Sequence, residues 1–493
     1  MAIIGRAAPA SAEEERFLRL TLLSIFAVTV ARLLWLRIGG LDLYPDEAQY
    51  WLWSLTPDWG YYSKPPLVAW VIRISTSFLG EGEAAIRLAA PLFHFGTALV
   101  IYRIGRHLYG ARVGMWSAIA YATLPGVSFS AMIISTDVPL LFFWAVALYA
   151  FVRAREPGGE RWWIAVGAAA GLGLLSKYAM AYWLLSALLF LLAVRDERRH
   201  LPRFLGAAAL ALAIYAPNFL WNLNHQFVSY RHTEANAGIT GFAIHPGAFA
   251  EFLGSQFGVF GPVFFATLLL IVVLLRRVLA DRRAQLLAVF ALPTLAMMVI
   301  VSLLSRAQPN WSAPTYVSAV ILVVAFLLER GRGTLVVCSV VLHVVGVVLA
   351  LGAEDAARLV GLEIPGRYDP LHRLHGWAQL GRSVSTLLRD HPGLRLMSDN
   401  REVLAALIYY VEPHPFDALK WNETRKIHDQ FDMTADIAGY PGADVLFVGM
   451  NREPGALGPH FSDTLAVGRI SINLGGGLTR DFVWAALKGF KSY

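Results

Sequence analysis

Charge and cysteine are both scarce in this sequence. Only 16% of its 493 residues are charged, against roughly 25% in soluble domains. A single cysteine, Cys338, excludes an internal disulfide. No Walker-type loop, paired CxxC or HExxH motif occurs, so these signatures of nucleotide and zinc binding are missing. The absences argue against an ordinary soluble, disulfide-bonded or zinc-protease class, and they leave a chain that is 56% apolar.

Long apolar runs dominate the first three quarters of the chain. They recur from Phe17 to Leu351, and about 20 apolar residues are enough for a helix to cross a bilayer. The sequence therefore predicts an α-helical polytopic membrane protein with about eleven spans, the first of them a retained anchor. The predicted spans are 17–38, 85–106, 112–132, 135–153, 162–177, 179–195, 203–221, 250–275, 285–305, 312–329 and 333–352.

The cations sort by side of the predicted membrane. One alternating set of loops carries clustered arginines, whereas the opposite set carries only scattered cations. By the positive-inside rule, this asymmetry places the N-terminus in the cytoplasm and the C-terminus outside, and it accounts for the basic charge without nucleic acid as a partner. The clusters are Arg103, Arg106 and Arg112; Arg153, Arg155 and Arg161; Arg195, Arg198, Arg199 and Arg203; Arg276, Arg277, Arg282 and Arg283; and Arg330 and Arg332. The scattered cations are Lys64, Arg73, Lys177, Arg231 and Arg306.

Three longer polar regions then fall on the outer side: 39–84, 222–249 and the tail. The tail has the composition of a soluble domain and a domain-like length. The predicted domains are a transmembrane domain over 1–352, with its outer loop, and a soluble periplasmic α/β domain over 353–493. Within the tail, we predict a strand over Leu394 to Ser398, a helix from about Asn400 to Val411 and a strand over Asp444 to Gly449.

The first outer loop contains two adjacent carboxylates, Asp46 and Glu47, followed by aromatic residues. Pro45 suits the first turn of a short helix, and the two acids would lie at the positive end of that helix. An interfacial helix with an ordinary acidic first turn explains the pattern by itself. A catalytic role gains weight because other polar groups fall on the same face.

Asp137, Lys177 and Lys64 are three of these groups. Asp137 starts a predicted span, where it could cap the helix or act in an outer cavity. Lys177 lies between two apolar runs, where it could extend to the headgroups or bind a phosphate. Lys64 precedes two prolines that restrict its backbone near the interface.

Two further stretches combine amides and aromatic rings. The longer stretch runs from Asn218 to His232, and the shorter one is Gln308-Pro309-Asn310-Trp311. Such side chains hydrogen-bond to hydroxyls and stack on sugar faces, although a polar loop rim explains part of the pattern.

These motifs resemble those of the GT-C glycosyltransferases, in particular the bacterial family-39-like members of the protein O-mannosyltransferase and lipid A aminoarabinose transferase families. The resemblance covers about the first 330 residues and implies an inverting transfer. A sugar would pass from a polyprenyl-phosphate (undecaprenyl-phosphate) carrier to lipid A or lipopolysaccharide, another envelope glycan or a protein, at the periplasmic face of a bacterial inner membrane. The motifs that carry it are Tyr44-Pro45-Asp46-Glu47, Lys64-Pro65-Pro66, Asp137 and Leu175-Ser176-Lys177.

The resemblance and the residue chemistry together give a candidate site. We expect membrane lipids, the lipid-linked donor and a lipid or glycan acceptor as partners, and no cofactor beyond a possible divalent metal at the acids. The expected catalytic residues are Asp46, Glu47 and Asp137; the expected donor-phosphate ligands are Lys64, Lys177 and Tyr62; and the expected substrate-binding residues are Tyr44, Asn222, His225, His232, Asn310 and Trp311.

In the expected mechanism, Asp46 removes a proton from the attacking acceptor if that acceptor is a hydroxyl, and only orients the acceptor if it is an anionic phosphate. The lysines stabilise the departing phosphate. Two alternatives remain open from the sequence. A transporter or flippase would usually place polar groups near the bilayer midplane, whereas here they collect at one face. An outer-face polymerase or ligase would differ chiefly in its donor.

Overall fold

The chain is largely helical, and the computed structural model describes residues 12–238, 243–359, 365–366, 369, 371–450 and 452–493. In chain order the helices are α1 (Ala12–Ile38), α2 (Pro45–Leu55), α3 (Leu67–Leu79), α4 (Glu83–Arg87), α5 (Ala89–Tyr109), α6 (Ala111–Thr123), α7 (Pro125–Ser130), α8 (Asp137–Ala154), α9 (Trp162–Ser176), α10 (Met180–Ala193), α11 (Leu201–Asn224), α12 (Val228–Ala237), α13 (Pro246–Val259), α14 (Pro262–Val273), α15 (Leu275–Val278), α16 (Arg282–Leu304), α17 (Ala313–Glu329), α18 (Gly333–Leu359), α19 (Trp377–Asp390), α20 (Arg401–Tyr410) and α21 (Gln430–Thr434). The strands are β1 (Arg395–Ser398), β2 (Leu419–Lys420), β3 (Val445–Gly449), β4 (Phe461–Gly475) and β5 (Leu478–Phe490).

Within the described residues, seven helical segments are long and apolar enough to cross a membrane, or eight if α13 and α14 form one bent span. These segments match eight of the eleven predicted spans. The other three predictions fall on α6, α9 and α10, which have 13, 15 and 14 residues. At 1.5 Å per residue, these helices are shorter than the roughly 30 Å hydrocarbon core. The polytopic helical fold is therefore confirmed, and membrane crossing by α6, α9 and α10 stays a prediction.

Breaks in the helices explain the difference. The predicted span 112–132 is interrupted after Thr123, and α7 restarts at Pro125, where the missing N–H of proline suits the first turn of a new helix. Lys177 adopts an extended backbone between α9 and α10. An apolar run in sequence therefore does not always correspond to one uninterrupted helix.

The chain forms two compact units. The first comprises residues up to Trp35, Leu88–Leu220 and Glu234–Val347, and the second comprises Leu36–Arg87, Trp221–Thr233 and Val348–Tyr493. Compactness thus groups the first outer loop with the tail, unlike the predicted linear boundary at residue 352.

The core of the first unit surrounds α17, which is largely buried, whereas α1 and α18 are mostly exposed. Aromatic side chains interlock around α8. Phe151 contacts Trp183 and Phe290 with ring centroids 5.9 and 5.6 Å apart. The exposed side chains of α1 include Leu23 and Phe26, which is the pattern of a helix that faces lipid rather than water.

The second unit contains a mixed sheet in its tail, with strand order β2-β1-β3-β5-β4. β1 is parallel to both β2 and β3, whereas β5 is antiparallel to β3 and β4. Asn400 caps α20 by accepting hydrogen bonds from two backbone N–H groups. The predicted α/β character of the tail, with a strand, a helix and a second strand at the expected positions, is confirmed.

Gly261 makes the 119° bend between α13 and α14 possible. Its φ of +85° lies in the left-handed region that favours glycine, and a Cβ atom there would collide with the imidazole of His343. The bend therefore requires a glycine for two independent reasons.

We expect Gly261→Ala to destabilise the protein by roughly 2 kcal/mol or more, because both the φ penalty and the steric clash oppose the native bend. Thermal unfolding of the purified protein in detergent measures this loss. Gly254→Ala, on α13 where a Cβ meets nothing within 4 Å, is the matched control. Equal unfolding temperatures for the two variants would contradict the argument.

Candidate functional site

Asp137 has both carboxylate oxygens bonded within the first unit. It lies in the first turn of α8, after the N-cap Thr136, and is 7% exposed. Lys177 Nζ donates to Oδ1 at 2.7 Å and Asn310 Nδ2 donates to Oδ2 at 2.8 Å. The carboxylate thus holds two side chains, and the N-cap residue Thr136 makes no side-chain capping bond. The structure brings together three residues that the sequence marked separately.

Local backbone breaks bring these partners to Asp137. Lys177 ends α9 in an extended conformation, and Asn310 lies in a short 3₁₀ helix, Pro309–Ser312, directly before α17. Each residue therefore lies at the end of a helix, so its polar side chain is not placed in the apolar middle of a span.

Gln256 on α13 supports the segment that carries Asn310. Its Oε1 accepts hydrogen bonds from Ser312 Oγ at 2.7 Å and from Tyr316 Oη at 2.6 Å, and its Nε2 donates to the carbonyl of Pro309 at 3.4 Å. Gln256 is fully buried, where satisfied polar networks fix a unique geometry. The sequence analysis missed it, since a single glutamine in an apolar run carries no motif.

Glu47 forms a buried ion pair with Arg87 in the second unit. The side chains are 1% and 4% exposed, and Arg87 Nη2 lies 2.7 Å from Glu47 Oε2. The same oxygen accepts from the backbone N–H of Tyr44 at 2.9 Å, while Arg87 also donates to the carbonyls of Leu41 and Asp42. This network fixes the entry of the chain into α2.

Asp46, the neighbouring acid, faces the tail instead. Arg401 Nη1 donates to its Oδ1 at 2.7 Å and to Gln49 Oε1. Burial alone would lower the pKa of Arg401, but the adjacent Asp46 carboxylate raises it, so the guanidinium stays charged. Arg401 lies 355 positions beyond Asp46, and no sequence motif singles it out.

Tyr62 and His232 form a second group beside this ion pair. Their rings meet edge to face with centroids 5.1 Å apart, and the backbone N–H of Tyr62 donates to Gln430 Oε1 at 2.7 Å. Burial, assisted by the charges of Lys64 and Arg401, lowers the pKa of His232 to about 4. His232 is therefore a neutral hydrogen-bonding group at physiological pH.

The other predicted substrate residues have mixed environments. His225 stacks on Trp221 with centroids 3.9 Å apart, and Trp221 Nε1 donates to Asp58 at 2.7 Å. Asn222 is buried, and its backbone carbonyl accepts a hydrogen bond from the backbone N–H of Phe227 at 2.7 Å. Tyr44 and Trp311 are half-buried; Tyr44 Oη accepts from Arg373 at 3.4 Å, and Trp311 packs beside Phe252.

The three predicted acids are each paired with a cation, and the described residues hold no group of three or more histidines, cysteines or acids placed to share a metal ion. Asp46 and Glu47 bind arginines, and Asp137 binds Lys177. This donor set does not fit a metal centre, so no step is derived through one.

The candidate residues thus fall into two clusters. Asp137, Lys177 and Asn310 belong to the first unit, whereas Asp46, Glu47, Tyr62, Lys64 and His232 belong to the second. The convergence of all these side chains around one substrate stays a prediction.

Comparison with known proteins identifies the family of this chain. Residues 63–221 match the family model described as dolichyl-phosphate-mannose-protein mannosyltransferase. Lipid A galacturonosyltransferase RgtD of Rhizobium johnstonii is 32% identical over 389 residues, which cover 79% of this chain and 82% of that protein. An undecaprenyl phosphate-α-4-amino-4-deoxy-L-arabinose arabinosyl transferase of Pseudomonas aeruginosa is 29% identical over a segment that covers 34% of this chain and 33% of that protein.

Solved structures share the fold. ArnT from Cupriavidus metallidurans in the apo state superposes with a TM-score of 0.63 at 18% identity, and the match covers 97% of this chain and 98% of ArnT. The same enzyme bound to undecaprenyl phosphate gives 0.62 at 19% identity, with the same coverage of both chains.

The fold and the extended relationship to RgtD define a multi-span membrane glycosyltransferase of the bacterial inner membrane. The chain belongs to the polyprenyl-phosphate-sugar-dependent GT-C glycosyltransferases. The resemblance noted in its motifs is confirmed.

We expect Glu47→Gln to destabilise the protein by about 3–5 kcal/mol, because it leaves the Arg87 charge buried without its carboxylate. Thermal unfolding in detergent measures the change, with the exposed Glu412→Gln as control. A variant with wild-type stability but no transfer activity would show instead that Glu47 acts in the chemistry.

Proposed function

We propose that this enzyme transfers a uronic acid sugar from an undecaprenyl-phosphate carrier to lipid A or its attached saccharide. The observation that carries the proposal is the 32% identity to a lipid A galacturonosyltransferase across 82% of that protein. A second galacturonosyltransferase, the lipopolysaccharide core enzyme RgtA, is 31% identical over 36% of each chain. The undecaprenyl-phosphate-bound form of ArnT supports the carrier.

The reaction takes place at the periplasmic face. The three polar regions that the arginine pattern assigns to the outer side are 39–84, 222–249 and the tail. All of the first region, the start of the second and the tail belong to the same compact unit, as a common side of the membrane requires. The arginine-rich loops then face the cytoplasm.

Lys64 and Lys177 bind the carrier phosphate. An ammonium group has three donors, and the contact with Asp137 occupies one donor of Lys177. The remaining capacity can stabilise charge that develops on the leaving phosphate, and in a site of lowered dielectric such contacts are stronger than in water. Asp137 and Asn310 position Lys177 for this contact.

Asp46 acts as the general base. The acceptor hydroxyl oxygen attacks the anomeric carbon, and its proton passes to Asp46. The new glycosidic C–O bond forms as the bond to the phosphate oxygen breaks, and that electron pair leaves with the lipid phosphate. Attack opposite the leaving group inverts the anomeric centre. Arg401 contacts only Oδ1, and a carboxylate has about four acceptor positions.

Tyr62, His232 and the amide-rich segment orient the sugars. His232 is neutral at physiological pH, so it can accept or donate a hydrogen bond to a hydroxyl without a competing charge. Tyr44, Asn222, His225 and Trp311 complete the proposed substrate contacts. Glu47 holds α2 in place so that Asp46 is presented correctly.

We expect Asp46→Asn to reduce transfer by roughly 10²–10⁴-fold, the usual contribution of a positioned base. Membranes supplied with the labelled undecaprenyl-phosphate sugar and lipid A give the rate, with Asp390→Asn on an exposed position as control. In the same assay, the transfer rate of Lys64→Ala should be well below that of Lys491→Ala, a variant at an exposed lysine. Near-normal transfer by Asp46→Asn at equal protein level would remove it from the mechanism.

The orientation has its own test. In a Cys338→Ser background, we expect Asp390→Cys to react with a membrane-impermeant maleimide in intact spheroplasts, because α19 would lie in the periplasm. Arg199→Cys, in an arginine-rich loop, should react only after permeabilisation. Both positions are exposed. The reverse pattern would place the tail in the cytoplasm and overturn the proposed site of reaction.

A further inference from the structure

A polar cleft of about 580 Å³ opens at one edge of the tail's sheet. Its lining includes Asp399 after β1, Trp421 after β2 and Arg452 beyond the end of β3. These three strands are parallel, so their carboxyl ends meet at one edge, which is where open α/β sheets bind ligands. None of the residues predicted from sequence lines this cleft.

The lysine and the arginines of the cleft already have acidic partners. Lys420 Nζ lies 2.8 Å from Asp429 Oδ2, with both side chains 7% exposed. Arg452 contacts Asp399 at 3.4 Å and Glu423 at 3.2 Å. Arg401 is bound to Asp46. Five carboxylates line the cleft against these three cations, so its electrostatics do not favour a phosphate.

Two polar atoms in the lining lack a partner. Asp432 is 9% exposed; its Oδ2 accepts from the backbone N–H groups of His428 and Asp429, but its Oδ1 accepts no hydrogen bond. Trp421 is 3% exposed, and its Nε1–H has no acceptor. Burial and the nearby Asp429 carboxylate raise the pKa of Asp432. A buried polar group without a partner reduces stability.

The lining combines carboxylates with the amides of Asn400 and Asn422 and the hydroxyl of Thr424. A hydroxyl-rich ligand suits such a lining, because a hydroxyl donates to a carboxylate or amide oxygen and accepts from an amide N–H. We propose that this cleft is a saccharide-binding subsite that holds a hydroxyl-rich, phosphate-free sugar of the acceptor. The assignment of the sugar to the acceptor rests on the proposed lipid A transfer.

Arg401 links this subsite to the proposed base. It lines the cleft and also donates to Asp46 Oδ1 at 2.7 Å. A sugar bound beside Arg401 therefore lies next to the residue that fixes the position of Asp46. Occupation of the cleft would place a neighbouring acceptor hydroxyl close to the base and contribute to the choice of acceptor.

The test uses the purified full-length protein and two variants. Thr424 is exposed and lines the cleft, so Thr424→Trp blocks it without a change in the core. Asp432→Asn removes the carboxylate at nearly constant size. We expect each variant to raise the KM for lipid A by about tenfold or more, the effect of one or more lost hydrogen bonds, while the KM for the lipid-linked donor is unchanged. Thr386→Trp, exposed on α19 and outside the lining, is the control and should behave as wild type.

Direct binding separates this inference from the proposed function. Deacylated and dephosphorylated lipid A saccharide is titrated into the wild-type protein and both variants by calorimetry, with inorganic phosphate as the competing probe. Binding of the saccharide by wild type that is lost in Thr424→Trp supports the subsite, even if no transfer to lipid A occurs. Three results would each overturn the proposed subsite. One is an unchanged KM for lipid A in both variants while the wild type transfers to lipid A. The others are no saccharide binding by the wild type, or binding of phosphate in place of the saccharide.

Discussion

The ion pair between Asp46 and Arg401 joins the starts of two helices that pack together, α2 and α20. An acid in the first turn of a helix is stabilised by the helix dipole, whereas a cation at the same position is not. Arg401 therefore occupies an unfavourable position on its own helix, and the Asp46 carboxylate offsets that cost. Without Arg401, the first outer loop would lose a charged contact to the tail, and Asp46 would lose its fixed orientation.

Adjacent residues on a helix point in directions about 100° apart, and this geometry gives the two acids of the first outer loop different surroundings. Glu47 points inward to Arg87 and is 1% exposed. Asp46 remains half-buried and reaches a residue of the tail. The sequence indicated that the acidic pair was important but could not assign a separate role to each acid, because the roles depend on which side of α2 packs against the rest of the protein.

Residues at the ends of apolar runs were the easiest to predict. Asp137, Lys177 and Asn310 interrupt hydrophobic sequence, where a polar group is costly unless it has a partner, and the structure shows that they are partners of one another. Arg87 and Arg401 were missed because each pairs with an acid 40 or 355 positions away along the chain, and no local motif marks such a pair. The helix ends within apolar runs were missed for a related reason: hydropathy records where apolar residues occur and does not show where a helix ends, as at Pro125 and Lys177.

The described polar clusters differ in how many of their buried polar atoms have hydrogen-bond partners. This difference distinguishes residues that position another side chain from residues that bind a ligand. Asp137 has a donor on each oxygen, so its network is complete and holds Lys177 in one geometry. Asp432 has donors on one oxygen only, and Trp421 has no acceptor. A buried group that is left unsatisfied reduces stability unless something restores the bond. The complete network of Asp137 therefore suits a positioning role, whereas the incompletely satisfied lining at the carboxyl edge of the parallel strands suits the proposed binding role.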